Sequence, residues 1–229
     1  MSSKWTPRII VGLTLAGLLY WLFPNEINPR PELWNIQVES GQLSILGLRL
    51  NTSPLKQANA TFKSMPDTAL FTTRQRPDKP VPAMHLEAYF EDLYDAGDSI
   101  ILTLDADYEL LNVIKNQAYQ PKLFPNDTIR VGIKGDLRAA IQQLPIRSIT
   151  IVAGEQVDIK AFEARFGQPS QLIDDGEGNA HVLYPKLGLD FIQPAEGRHV
   201  LQFVPPAQFD SELLAPLLNK RKLQPKPDA

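Results

Sequence analysis

Three histidines, His85, His181 and His199, and one long acidic run are the residues of this chain whose chemistry needs testing first. His181 and His199 fall in neighbouring apolar segments that read as strands. Two imidazoles with Asp190 would make a donor set that zinc accepts. The spacing argues otherwise: no H-x-x-x-H or H-E-x-x-H occurs, so the expectation is strand-end histidines making ordinary hydrogen bonds. Between His85 and Ile114 the carboxylates Glu87, Glu91, Asp92, Asp95, Asp98, Asp105, Asp107 and Glu109 follow one another with no intervening Lys or Arg. Asp105, Asp107 and Glu109 alternate, so in a strand they would share one face. Uncompensated carboxylates there could recruit calcium or a basic partner. A solvated face is the expected outcome, because charge runs usually face water. "DDGEGN" (174–179) lacks the alternating ligands and closing Glu of a calcium loop and reads as a β-turn.

Further chemistry is not signalled. No G-x-S-x-G, G-x-x-x-x-G-K-[ST] or G-x-G-x-x-G appears, so the usual nucleophile-elbow, phosphate-loop and dinucleotide fingerprints are missing. The 229 residues include no cysteine, which excludes disulfides, thiol catalysis, thiolate metal sites and a cysteine-borne lipid. A net charge of −3 is too small to imply a nucleic-acid surface. No catalytic, cofactor-binding or metal-ligating residue is assigned, and neither a cofactor nor a nucleic-acid partner is expected.

The elements that would carry these residues start with an apolar segment. Residues 1–8, with Lys4 and Arg8, read as a cytoplasmic tail, and Ile9–Phe23 as a transmembrane anchor. Counted from Trp5, the span reaches about 28 Å at ~1.5 Å per residue, near the roughly 30 Å hydrocarbon core. Tyr20, Trp21, Leu22 and Phe23 close the run where a cleavage site would need small residues, so it is read as an uncleaved signal anchor. The preceding positive charges put the N-terminus in the cytoplasm. The expectation is a single-pass bacterial inner-membrane protein with its bulk in the periplasm and the lipid bilayer as partner through residues 9–23.

Residues 24–40, with Pro24, Pro29 and Pro31, read as a stiff tether, and 220–229 as a disordered tail. Between them the patterning predicts an α+β fold of two related helix-plus-antiparallel-sheet modules, 41–145 and 146–219. "LKQANATF" (55–62) and "IKAFEARF" (159–166) share an apolar–Lys–x–x–x–Ala–x–Phe pattern, and Ser44–Phe62 overlies Ser148–Phe166 without gaps. "HLEAYFEDL" then faces "HVLYPKLGL", and "DSIILTL" faces "RHVLQFV". Strand, helix and hairpin recur, as in an internal duplication. "YELLNVIKNQ" reads as a helix capped by Asp107. Gly167, with Pro169 beyond it, reads as a left-handed stop to the second helix.

The second module, "GEQVDIKAFEARFGQPSQLI…HVLYPKLGLDFI…HVLQFV", resembles the BamE/SmpA-like modules of the bacterial envelope over about residues 146–206, with a weaker echo at 42–106. Gly167, Pro169 and Tyr184 hold the places of that family's Gly-x-Pro step and early-strand Tyr. The chain departs from the family in lacking a lipid-modified cysteine and in carrying two copies. The resemblance implies a non-catalytic envelope module that contacts other proteins. The function expected is thus a membrane-anchored, periplasmic protein-interaction or scaffolding module with an envelope protein as partner. An envelope hydrolase using carboxylates, or a calcium- or small-ligand-binding protein, is the alternative.

Overall fold

The computed structural model describes residues 35–74, 83–93 and 97–222. The described chain begins with a small meander of β1 (Gln37–Glu39), β2 (Gln42–Ile45) and β3 (Leu48–Arg49). Two-residue turns join them, and Ser40, Gly41, Leu46 and Gly47 all take positive φ, the hairpin geometry whose twist matches that of the strands. α1 (Leu55–Phe62) follows, burying Leu55, Ala58 and Phe62 as one stripe. Pro54 occupies its N-cap, while the Ser53 hydroxyl accepts a hydrogen bond from the Arg49 amide instead of capping the helix.

Next come β4 (Asp67–Thr73), β5 (Met84–Leu93) and β6 (Asp98–Leu104), then α2 (Tyr108–Gln117). The Asp107 carboxylate caps α2 by accepting from Leu110 N at 2.8 Å. β7 (Lys122–Leu123) and β8 (Thr128–Gly132) lead to a 3₁₀ turn, Gly135–Leu137, that runs into the single turn α3 (Arg138–Ile141). β9 (Ile146–Val152) precedes α4 (Ile159–Phe166), whose cap is Asp158, accepting from Lys160 N and Ala161 N. Gly167 ends α4 at φ +84° and ψ −176°. That is a positive-φ region open essentially to glycine alone, and it is extended rather than the expected left-handed helical one.

The chain then forms β10 (Gln171–Asp174), β11 (Asn179–Tyr184), β12 (Leu189–Pro194) and β13 (Val200–Phe203). A π-helical segment, Asp210–Leu214, continues into α5 (Ala215–Lys222). Pro216 sits at the second residue of α5, and the wide π turn before it absorbs the missing N–H.

Ten strands form one antiparallel sheet in the order β10-β11-β12-β13-β9-β6-β5-β4-β8-β7. β9 joins the halves: Ile149 pairs with Phe203 of β13 on one side and Leu102 of β6 on the other. The registers give the sheet two unlike faces. On the first, Leu86, Phe90, Ile100, Leu102, Ile149, Ile151, Phe191, Leu201 and Phe203 are all essentially inaccessible. Phe62 meets Phe90 edge-on at 5.0 Å, and Phe162 meets Phe191 at 5.7 Å, so α1 and α4 both cover this face. The second face alternates with it and is covered at its β10-β11-β12 end by the C-terminal helix, through Ile173, Leu183, Phe209 and Leu217.

The α+β class is present, and both halves contribute strands to one antiparallel sheet, but the strand matching between the halves is incomplete. β9 is shared, and β2, its counterpart in the first half, lies in the small meander. The strand matching also fails after Tyr184, where β11 stops and a 3₁₀ turn at Pro185–Leu187 reverses the chain, while β5 runs on to Leu93. Nor does any described helix span a membrane: among the described residues none is long and apolar enough. Even the helical run from Asp210 through α5 to Lys222 reaches only about 20 Å against a hydrocarbon core of roughly 30 Å. The expected transmembrane helix, signal anchor and single-pass inner-membrane localisation are withdrawn on that finding. The run 9–23, like most of the tether and the tail beyond Lys222, lies outside the described residues.

Candidate functional site

The histidines separate by strand parity. His181 and Val200 both pair with Ile192, so these three share the second face of the sheet, and His199, adjacent to Val200, belongs to the first. The two imidazoles therefore stand on opposite sides and cannot share an ion with Asp190. His199 packs edge-on against Phe191 at 5.3 Å, and its Nδ1 accepts from Val157 N at 3.1 Å. Burial depresses its pKa, so it sits there as the neutral ring. His85 stacks on Phe71 and pairs with Glu87 at 3.0 Å near the surface.

His181 lies in a buried polar cluster beneath the C-terminal helix. Its Nδ1 is 2.7 Å from Asp190 Oδ2, across from β11 to β12. Its Nε2 faces Asp175 Oδ2 at 3.8 Å. Asp175 belongs to the predicted turn at 174–179, which folds around its carboxylate. Glu177 N and Asn179 N donate to Oδ1, while Asn179 Nδ2 and Lys220 Nζ donate to Oδ2. Burial by itself would raise the Asp175 pKa. The donors from Asn179, Glu177 and Lys220 outweigh it and hold the carboxylate far below its usual range. Burial likewise acts to lower the His181 pKa, but the Asp190 hydrogen bond and the charges of Asp190 and Asp175 overcome it, with Lys220 opposing, and the ring's pKa is raised. When His181 is protonated, it and Lys220 are two cations against two buried carboxylates, with Glu177 on the outer side of Lys220. With His181 Nε2 facing Asp175 and Lys220 reaching the same carboxylate from α5, the cluster ties the C-terminal helix to the sheet.

The acidic run does not converge. Asp107 and Glu109 open α2, after β6 has ended at Leu104, so they and the exposed Asp105 share no strand face. Asp98 is buried and accepts from Gly154 N at 2.7 Å. Asp95 lies outside the described residues. No group of three or more His, Asp or Glu able to hold a metal occurs among the described residues.

Sequence reading missed a groove at the opposite end of the sheet. A cavity of about 220 Å³ opens between the α1–β4 connection, β8 and α3, lined by Met65, Tyr119, Arg130, Arg138 and Gln142 among others. Gly132 makes room for it: a Cβ there would come within 3.1 Å of the Tyr119 ring. Met65 is 73% exposed and Tyr119 38%. Arg130 Nη2 alone engages both oxygens of Asp67, at 2.6 Å, leaving its remaining N–H groups uncommitted. The Arg138 side chain has no hydrogen bond or ion pair among the described residues. Gln142 Oε1 accepts from Asn59 Nδ2, which leaves the Gln142 amide N–H groups to the groove. In the sequence its lining residues Met65, Tyr119, Arg130 and Arg138 lie far apart, and their meeting depends on long-range packing. No known protein family, curated protein or solved structure matches this chain.

Proposed function

We propose that the chain is a non-catalytic protein-interaction or scaffolding module, with the second face of its ten-stranded sheet as the contact surface. The observation that carries this reading is the contrast between the two faces. The first is packed with core side chains. The second leaves Phe71, Tyr89, Ile101, Thr150, Val152 and Val200 only half-buried across neighbouring strands. A broad surface mixing aromatic, β-branched and hydroxyl side chains suits a protein partner, whose interfaces combine an apolar centre with a polar rim. The likeness of residues 146–206 to BamE/SmpA modules supports the same reading.

Placing a photo-crosslinking amino acid at Thr150 in intact cells tests it. One discrete adduct is expected from Thr150, none from Lys160 on α4, and loss of the Thr150 adduct when Ile101→Glu puts a charge on the same face. Irradiation that yields no discrete adduct from Thr150, or an adduct indifferent to Ile101→Glu, would remove the sheet face as a contact surface.

A further inference from the structure

The groove beside Tyr119 adjoins the open face, because Asp67, Arg130 and Gly132 lie on that face of β4 and β8. Its polar chemistry is one-sided. Arg138 brings a guanidinium with no partner among the described residues, Arg130 brings spare N–H groups, and Gln142 brings an amide whose oxygen is already occupied. Against these donors stand Asp67, itself engaged by Arg130, and the neutral Thr68 and Gln120, which can donate as well as accept. Donors in excess of acceptors, with planar guanidinium forks among them, match a carboxylate. The apolar side of the groove is Met65 and Tyr119, both prominently exposed. Its volume of about 220 Å³ falls below the roughly 300–1,000 Å³ typical of sites that enclose a small molecule or cofactor. One or two side chains of a larger partner fit such a space better than a whole metabolite.

We infer that this groove anchors an acidic segment of a partner protein: a Glu or Asp carboxylate meets Arg138 and Gln142, and a neighbouring apolar side chain lies against Met65 and Tyr119. The inference rests on the protein-binding reading above and adds the partner's chemistry to it. Arg138 is the residue that discriminates. It is solvent-exposed, so replacing it is expected to leave the fold in place.

The test is amide chemical-shift mapping of the full ¹⁵N-labelled chain with three short probes, Ac-Glu-Phe-Glu-NH₂, Ac-Gln-Phe-Gln-NH₂ and Ac-Lys-Phe-Lys-NH₂. The glutamate peptide is expected to shift the amides of Thr68, Gln120, Gly132 and Gln142 and to saturate in the millimolar range. The glutamine peptide should bind more weakly and the lysine peptide not at all. Arg138→Glu should weaken the glutamate peptide by about tenfold or more, the scale of one charge-assisted contact. Absence of shifts up to about 10 mM, equal response to all three peptides, or indifference to Arg138→Glu overturns the acidic-anchor inference. The two readings fail separately. A Thr150 adduct that persists while the peptides do not bind leaves the sheet face as the contact surface and removes only the groove.

Discussion

His181 stands between two buried carboxylates, 2.7 Å from Asp190 through Nδ1 and 3.8 Å from Asp175 through Nε2, while Lys220 from the C-terminal helix reaches the same Asp175 at 3.2 Å. A neutral imidazole would leave Lys220 alone against both carboxylates, so the fold favours the imidazolium. The cluster links β11, β12, the turn between β10 and β11, and α5. It is the polar counterpart of the apolar contact that Leu183, Phe209 and Leu217 make beside it.

Stability should pass through a maximum near the ordinary histidine pKa of about 6.5. His181 has a raised pKa, so its contribution is complete below about 6.5 and lost as pH rises through its folded value. His199 has a lowered pKa, so its contribution is complete above about 6.5 and lost as pH falls through its folded value. Urea midpoints measured from pH 5 to 9 should therefore fall on both sides. His181→Gln should flatten the alkaline limb only. A variant that still loses stability in alkali like the parent would refute the charge-balancing role of His181.

Asp175→Asn should destabilise the chain by about 2–3 kcal/mol, because a buried, anionic acceptor with donors on both oxygens is replaced by a neutral amide. The loss should be concentrated in the C-terminal helix. Hydrogen exchange at residues 217–221 should speed up more than at β9. Uniform acceleration across the sheet would mean that Asp175 supports the whole fold rather than this contact.

Gly188→Ala should be among the most damaging small changes. Gly188 has φ +62°, and an added Cβ would lie 1.9 Å from the backbone carbonyl oxygen of Val204, whose amide is itself hydrogen-bonded to the Gly188 carbonyl. Backbone strain and overlap together should cost about 3 kcal/mol or more, readable as a lowered thermal midpoint. Gly135→Ala, with open space around the new methyl, serves as the matched control and should change little.

Phe162→Ala should cost about 3–5 kcal/mol, since its ring is 1% exposed and packs on Phe166, Tyr184 and Phe191. Phe166→Ala should cost clearly less. Phe166 aligns with Phe62 in the repeated octapeptide, yet in α4 the buried anchor is Phe162, at the place Ala58 holds in α1. Equal losses from the two substitutions, by chemical denaturation, would contradict that difference in helix seating.

What the sequence determined by itself was local. The extent of α2 and its Asp107 cap, the apolar stripes of α1 and α4, the strands from Met84 and Asp98, and the turn at 174–179 were all readable. Each is set by hydrogen bonds and side-chain spacing within a few residues. The pairing of β9 with both β6 and β13 was decided only by tertiary structure, because strand order depends on which apolar faces can be buried together across tens of residues. The same holds for the sites. His181 and Asp190 were visible as a pair of residue types, but their face, the carboxylate of Asp175 and the reach of Lys220 from 45 residues away follow from the register and from the packing of the C-terminal helix. The groove at Arg138 is likewise a product of packing, since Met65, Tyr119, Arg130 and Arg138 become neighbours only when β8 has paired with β4.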